Sequence, residues 1–151
     1  MCCYCGLSLA FENCCQSIHM NKRSADTAEA LMRSRYSAYV LGNTDYLSET
    51  WMPGYRPQSM ELMEGVTWLG LEIVRTEGGL KQDKVGSVEF KANFMQENRL
   101  YCLHEKSYFE QIEGQWFYKR GDIIEHEPVL ISMKQSCPCG SGKKFKHCCS
   151  V

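Results

Sequence analysis

Long hydrophobic runs are missing from this chain of 151 residues. No segment approaches the roughly 18 to 20 apolar residues that a membrane-spanning helix needs, so we expect no membrane span. The first residues do not combine a basic stretch with an apolar one, so no secretory signal peptide is predicted. Both absences favour a protein of the cytoplasm.

An excess of charge of one sign is also missing, since the formal net charge is −1. This balance argues against a protein that coats nucleic acid or an anionic membrane, although it permits a local basic patch. The chain has no nucleophile elbow, no phosphate-binding loop and no His-Glu-x-x-His motif. It also has no DNA-specific motif. Composition and motifs therefore give no support to catalysis and leave oligomeric state open.

Cysteine is abundant, with ten residues, and its distribution is uneven. Five cysteines lie in the first fifteen residues and four in the last fifteen. Secreted disulfide scaffolds can be this rich in cysteine, but the adjacent pairs Cys14-Cys15 and Cys148-Cys149 are poorly suited to disulfides with each other. In the reducing cytoplasm, clustered thiols more often bind metal.

The two cysteine-rich ends are copies of one pattern. Residues 3–15 read Cys-Tyr-Cys-Gly-Leu-Ser-Leu-Ala-Phe-Glu-Asn-Cys-Cys, and residues 137–149 read Cys-Pro-Cys-Gly-Ser-Gly-Lys-Lys-Phe-Lys-His-Cys-Cys. Aligned without a gap, they share four cysteines, one glycine and one phenylalanine. The predicted ligand sets are an N-terminal cluster of Cys3, Cys5, Cys14 and Cys15 and a C-terminal cluster of Cys137, Cys139, Cys148 and Cys149.

Four thiolates in this spacing suit a structural zinc ion, which takes four ligands tetrahedrally. We therefore expect up to two zinc ions per chain; an iron–sulfur cluster and redox-active thiols are the alternatives. Four protein ligands leave no open position for water or substrate, which argues against catalytic zinc. Lysines offset the negative charge of the C-terminal cluster only, namely Lys143, Lys144 and Lys146.

The middle of the chain changes from helical to alternating periodicity. Residues 26–41 predict an amphipathic helix, a second starts at 43 or 44 and ends before Pro53, and a further turn is expected at 59–64. Strands are predicted at residues 68–76, 88–94, 100–112 and 115–122, with a short strand within 125–131. The fold class is therefore α+β, with N-terminal helices packed on a curved antiparallel sheet and a pocket at its open end. The predicted boundaries are 1–20 for an N-terminal knuckle, 24–132 for the central domain and 135–151 for a C-terminal knuckle.

Several finer expectations concern the first helix and the first strand. Asp26 and Glu29 predict a capping box, and Gly42 suits the helix end. Arg35 falls in the middle of the apolar face, so its charge must be paired. Its partner would be a buried carboxylate, backbone carbonyls or an anionic ligand, which makes Arg35 a pocket candidate. On the first strand, alternation places Leu69, Leu71 and Ile73 on one face.

Residues 137–149 resemble the SEC-C motif, the zinc-binding tail that is also found on the SecA translocation ATPase. With the phrases at residues 31–40 and 68–71, and one running from Phe109 to Tyr118, the paired motifs resemble the bacterial YchJ family across essentially the whole chain. The resemblance implies a central domain of the nuclear-transport-factor-like (SnoaL-like) fold, a cystatin-like roll, and carries no assigned activity. One departure is Tyr4, which stands where the family motif usually has proline.

These observations lead to two main hypotheses. The first is a non-catalytic adaptor or binding protein whose lysine-bearing C-terminal knuckle contacts an acidic partner, either a protein surface or ribosomal RNA. The alternative is small-molecule binding or catalysis in the pocket of the central domain, with Arg35 as the candidate ligand-binding residue. In a third and simpler interpretation, both knuckles only fasten the chain ends to the domain.

Overall fold

The computed structural model describes residues 2–21 and 23–150. Within them, the helices come first and the strands follow. The helices are α1 (Cys15–His19), α2 (Ala28–Leu41) and α3 (Thr44–Glu49). The strands are β1 (Thr67–Gly78), β2 (Val85–Gln96), β3 (Arg99–Ile112), β4 (Gln115–Ile124) and β5 (Val129–Leu130). No helix in this part of the chain is long and apolar enough to cross a membrane.

The strands form one antiparallel sheet in the order β1-β2-β3-β4, and β5 pairs with the start of β3. Two tight turns connect β2 to β3 and β3 to β4. Positive φ angles occur at Glu97 and Asn98 in the first turn, and at Glu113 and Gly114 in the second. This conformation matches the right-handed twist of the flanking strands. The sheet curls into a half-barrel around α2, which confirms the predicted α+β class.

Helix α2 begins at Ala28, two residues after the predicted start at residue 26. Thr27, not Asp26, is the N-cap, and its hydroxyl accepts a hydrogen bond from the Ala30 amide at 3.0 Å. The backbone carbonyl of Asp26 instead accepts a hydrogen bond from the Trp116 indole at 3.2 Å, which holds this residue to the sheet. At the other end, Gly42 has a φ of 73°, the left-handed conformation that a helix C-cap requires.

Two sides of helix α2 are buried. The predicted apolar face packs against the sheet, where Leu31, Met32 and Tyr36 belong to the main core. The other side carries Ser34 and Ser37, both fully buried. The Ser34 hydroxyl hydrogen-bonds Leu31 O at 2.8 Å and lies 2.6 Å from the Tyr46 hydroxyl. These small polar residues let the N-terminal segment approach the helix closely.

The face assignment of β1 is wrong for Leu69. Leu71 and Ile73 pack against the core beneath α2, but Leu69 packs in a second cluster on the opposite face of the sheet. The cause is an irregularity in the pairing of β1 with β2 between Trp68 and Gly70. Because side chains alternate between faces, one irregular residue moves its neighbour to the other side.

Residues 59–64 form no helical turn, contrary to the prediction. The segment is irregular, and Met60 and Leu62 are the residues packed against the core. Their spacing of two is typical of extended chain rather than helix. This segment covers one side of the sheet's open end.

Candidate metal centres and the central cavity

Each predicted cysteine set comes together in space. In both clusters the four sulfur atoms lie within 4.8 Å of one another, a separation at which they could hold a metal ion. The ten cysteines are all free thiols. A tetrahedral arrangement of sulfur ligands at about 2.3 Å from a metal gives sulfur–sulfur separations of about 3.8 Å, well within this limit. The donor set therefore fits a four-coordinate ion at each end.

The two clusters are built on the same backbone. The Cys3 amide donates to Leu9 O at 2.7 Å, and the Cys137 amide donates to Lys143 O at 2.8 Å. The glycine after each Cys-x-Cys has positive φ, 94° at Gly6 and 83° at Gly140.

A short 3-10 turn then leads into the second cysteine pair of each copy, at Phe11–Asn13 and at Phe145–His147. Cys14 and Cys148, which follow these turns, have nearly equal backbone angles (φ/ψ −126°/−112° and −133°/−109°). The sequence repeat is therefore a structural repeat.

Burial distinguishes the two copies. In the N-terminal cluster all four cysteines are at most 4% exposed. In the C-terminal cluster only Cys137 is buried; Cys148 is half-buried, and Cys139 and Cys149 are exposed. One site is therefore enclosed by protein, whereas the other opens to solvent on one side.

The N-terminal cluster packs on helix α2. Arg33 donates from Nη1 to Cys5 O at 2.6 Å, and the Cys3 sulfur lies 3.8 Å from the Ser37 hydroxyl. The His19 Nε2 atom is 2.7 Å from Ser34 O. These contacts make the buried serine side of α2 the platform for the N-terminal cysteine cluster.

The C-terminal cluster packs on the opposite face of the sheet. Phe145, only 1% exposed, lies in one apolar cluster with Cys137, Met95 and Ile131, and Leu69 and Leu100 pack against the same cluster. The Lys146 amide donates to Met133 O at 3.1 Å, which joins the knuckle to the segment after β5. The two clusters thus dock on different sides of the central domain.

Thiols this close compete for protons. Hydrogen bonding with Cys15 lowers the pKa of Cys5 to about 5, whereas burial raises the pKa of Cys14 to about 11. In the C-terminal cluster, hydrogen bonding with Ser141 lowers the pKa of Cys139 to about 6, and hydrogen bonding with Cys137 raises the pKa of Cys149 to about 12. Without a cation the thiols of a cluster do not all ionise near neutral pH, so a dication is the natural counter-charge.

The three lysines beside the C-terminal cluster are exposed. No ion pair to Lys143, Lys144 or Lys146 is present among residues 2–21 and 23–150. Their backbone is nevertheless ordered by the knuckle, because Lys143 O and the Lys146 amide both hydrogen-bond within or beside it. The chain therefore presents three free cations on a fixed framework next to exposed thiols.

A cavity of about 580 Å³ lies at the open end of the half-barrel. The buried Arg35 and the half-buried Glu105 are charged residues in its lining. Trp51 and Tyr118 lie beside Arg35. Apolar walls come from α2, the 60–66 segment and the sheet: Met32, Val40, Leu62, Trp68, Phe90 and Leu103. The pocket predicted for the open end of the sheet is present.

Three other polar side chains of the central domain, those of Asp45, Tyr46 and His104, lie outside this cavity. Asp45 is exposed in the first turn of α3, and Tyr46 is buried beneath the N-terminal segment. His104 points to the outer face of the sheet, where its ring nitrogens are 2.8 Å from Glu89 Oε2 and 2.8 Å from His126 Nε2. Sequence reasoning missed Tyr118, whose approach to Arg35 depends on the pairing of β4 with residues 50–52.

The fold and the paired clusters define a class of protein, an α+β half-barrel flanked by two four-cysteine knuckles. Residues 27–121 match the family described as "YchJ, middle NTF2-like domain", and residues 133–150 match the SEC-C motif. The chain belongs to the YchJ family, whose members include those named UPF0225.

Relatives and solved structures agree with this assignment. A UPF0225 protein of Haemophilus influenzae is 42% identical over 97% of this chain and 90% of its own length, and one of Vibrio cholerae is 39% identical over 99% of both. A SEC-C motif containing protein from Rhodopseudomonas palustris, solved in solution, has a TM-score of 0.74 at 33% identity, covering 83% of this chain and all of its own. A crystal structure of one from Psychrobacter arcticus has a TM-score of 0.68 at 31% identity, covering 99% and 95%.

Proposed function

We propose that this protein is a zinc-dependent adaptor in which the N-terminal site is structural and the C-terminal knuckle is the recognition surface. The observation that carries the proposal is the difference in exposure between two sites with the same backbone. The N-terminal cluster is enclosed against α2, so it serves the fold. The C-terminal cluster leaves Cys139 and Cys149 open to solvent beside three exposed lysines.

The chemistry of the ligands supports zinc as the metal. Four thiolates at tetrahedral spacing favour zinc over harder cations, which prefer oxygen ligands. Ten free cysteines are consistent with a reducing compartment, so we place the protein in the cytoplasm. Plasma mass spectrometry on untagged protein should find two zinc ions per chain; iron in their place would contradict this assignment.

The lysine charges determine the kind of partner. Lys143, Lys144 and Lys146 have no carboxylate partner in the part of the chain that the structure describes, so their charges are available to an anionic surface. An acidic protein face or ribosomal RNA would complement them, and binding should weaken as salt increases. The knuckle framework holds the lysine backbone in place, which lowers the entropic cost of binding.

The experiment compares two charge-reversed variants. Lys144→Glu with Lys146→Glu alters the proposed surface, whereas Lys81→Glu with Lys84→Glu makes the same charge change on the connection between β1 and β2. Each protein is used to capture partners from lysate, which are identified by mass spectrometry, and to sediment with purified ribosomes. The first variant should lose its specific partner while retaining the zinc content of the wild type.

Two results would contradict the proposal. Capture that survives the knuckle variant would show that the lysines do not form the docking surface. An equal loss in both variants would show that only the net charge matters. Sedimentation with ribosomes, or its absence, decides between ribosomal RNA and an acidic protein face.

A further inference from the structure

Arg35 has an unusual position for a cation. It is 3% exposed, and its Nη1 atom donates to Leu47 O at 2.8 Å and to Thr50 Oγ1 at 2.6 Å. Among residues 2–21 and 23–150 the structure forms no ion pair to its guanidinium. Glu105 lines the same cavity and attracts the guanidinium only from beyond ion-pair distance. A charge at such a depth without a direct ion pair is costly, so an anionic group from outside the protein that contacts it would stabilise it.

Two aromatic rings fix the orientation of the guanidinium. Its central carbon lies 4.7 Å from the centre of the Tyr118 ring and 5.4 Å from that of Trp51. Both rings are held by hydrogen bonds, because the Trp51 indole donates to Lys119 O at 3.2 Å and the Tyr118 hydroxyl donates to Glu105 Oε2 at 3.1 Å. The Nη1 atom is committed to the hydrogen bonds with Leu47 and Thr50, and neither Nη2 nor Nε forms a bond in the part of the chain that the structure describes. Because Arg35 lines the cavity, these donors are available to a ligand there.

Two carboxylates in the cavity lining, those of the half-buried Glu105 and the exposed Glu61, limit what the ligand can be. Glu105 accepts hydrogen bonds from Ser107 and from the Tyr118 hydroxyl, the latter at 3.1 Å, so its carboxylate is held in place. A ligand with two negative charges, such as a phosphate monoester, would be attracted by Arg35 but repelled by Glu105. A ligand with a single negative charge gains the first interaction with a smaller penalty from the second.

The shape and lining of the cavity define the rest of the ligand. Its volume of about 580 Å³ lies in the range of small-molecule sites. Trp68 forms one wall together with Phe90 and Leu103. Leu62, which belongs to the 60–66 segment, closes another side. Flat aromatic and aliphatic walls favour a flat apolar body over a sugar or a peptide backbone.

We propose that the cavity binds a small monocarboxylic acid with a flat apolar body, with its carboxylate on the free donors of Arg35 and its body against Trp68. This site is separate from both cysteine clusters and does not depend on the adaptor role. A planar carboxylate matches the fork geometry of a guanidinium, and such charge-assisted hydrogen bonds are stronger than those to a neutral group.

The test uses three probes that share one ring system: 2-naphthoate, 2-naphthamide and 2-naphthyl phosphate. Binding to the full, metal-loaded chain is followed by two-dimensional NMR, in which the indole signals of Trp51 and Trp68 report on the cavity. The acid should bind about ten-fold or more tightly than the amide, which has the same shape without the charge. The acid should also bind more tightly than the phosphate.

Two variants locate the site. Leu62→Trp fills the mouth of the cavity and should abolish binding of the acid. Leu80→Trp places the same ring at another exposed apolar position, outside the cavity lining, and should leave binding unchanged. Arg35→Met should lower the affinity for the acid to that for the amide. If this variant does not fold, the comparison of the acid with the amide on the wild-type protein still tests the role of the charge.

Any of three outcomes would overturn the proposal. Equal affinity of the acid and the amide would show that Arg35 is purely structural. Tighter binding of the phosphate would show that the site takes dianions. If the acid binds no more tightly than a Kd of about 1 mM, or if its NMR shifts map outside the cavity, no such site exists.

Discussion

At the scale of single residues, the contrast between the clusters is a contrast in solvation. Cys5 is fully buried, with its carbonyl fixed by Arg33, whereas Cys139 is exposed and contacts its own knuckle. When one cysteine is removed from an enclosed metal site, the remaining buried thiols lose their counter-charge. Water cannot reach them, so the free-energy cost of their burial is not offset. A ligand removed from an open site leaves groups that water can reach.

Substituting one ligand in each cluster should separate these cases. Cys5→Ser should lower the free energy of unfolding by about 3 kcal/mol or more, because it removes a buried metal ligand on which α2 packs. Cys139→Ser should cost less than about half of that. Urea unfolding followed by far-ultraviolet circular dichroism measures both. Equal losses would show that both metal sites support the central fold to the same degree.

A second residue-scale prediction concerns pH. Burial lowers the pKa of His19 below its ordinary value of 6.5, so the folded state favours the neutral ring that contacts Ser34 O. A depressed histidine pKa contributes stability that is fully present above about 6.5 and is lost as pH falls below it. Between about pH 7.5 and 5.5 the melting temperature of wild type should therefore fall further than that of His19→Gln.

The comparison between wild type and His19→Gln is needed because acid also protonates the cysteines. That effect is common to both proteins, so the difference between their pH profiles isolates His19. Parallel profiles would show that this ring does not control acid stability.

At the scale of elements, α2 is the part of the fold on which the other parts depend. One side packs on the half-barrel, the other carries the N-terminal cluster, and Arg35 reaches the cavity from the same helix. Residues 50–52 pair with β4 and bring Trp51 to the same place. A shift of α2 would therefore disturb the N-terminal cysteine cluster and the cavity together.

The start of α2 offers a direct test of its cap. Thr27→Ala removes the hydroxyl that accepts from the Ala30 amide and should cost about 1 kcal/mol. Asp26→Ala, one residue earlier, keeps the backbone carbonyl that Trp116 uses and should cost less than about 0.5 kcal/mol. Thermal or urea unfolding of the two variants shows which substitution costs more stability. A larger loss for Asp26→Ala would place the cap at Asp26.

At the scale of the whole molecule, the two cysteine clusters attach different segments of the chain to different faces of one domain. The first is buried behind α2, and the second covers Leu69, Met95 and Ile131 on the outer face of the sheet. Chelators reach an exposed site more easily than an enclosed one. Loss of metal should therefore occur in two stages.

We expect a chelator such as EDTA to remove one metal ion quickly without global unfolding. The second ion should leave slowly, together with the loss of helical signal, because the N-terminal site opens only when its contacts with α2 break. Metal release can be followed with a chromogenic indicator while circular dichroism reports the fold. Release of both ions in one phase, coincident with unfolding, would contradict this order.

Much of this architecture could be predicted from the sequence, and the exceptions have physical causes. The grouping of the cysteines could be predicted because the geometry of a four-ligand site restricts the spacing of its ligands. The helical period of α2 and the break between the strands at 100–112 and 115–122 could be predicted because local chemistry sets them. The face of the sheet was predicted wrongly for Leu69 because no local sequence signal indicates that the strand pairing is irregular beside Gly70.

The candidate sites show the same limit. The sequence predicted that Arg35 lies at a pocket and that the cysteines form two groups of four, but it could not show that one group is enclosed and the other open. That difference depends on which surface each knuckle meets, and those surfaces are formed by residues distant in the chain. The sequence also predicted a turn at 59–64, where the chain instead places Met60 and Leu62 on the core.

The placement of the knuckles has a consequence for the order of assembly during synthesis. The N-terminal cluster docks on α2, which follows it closely in the chain, so that site can close while the sheet is still being made. The C-terminal cluster docks on residues of β1, β2 and β3, so its platform exists only when the sheet is complete. Closure of the C-terminal cluster therefore depends on a sheet that has already formed, whereas closure of the N-terminal cluster does not.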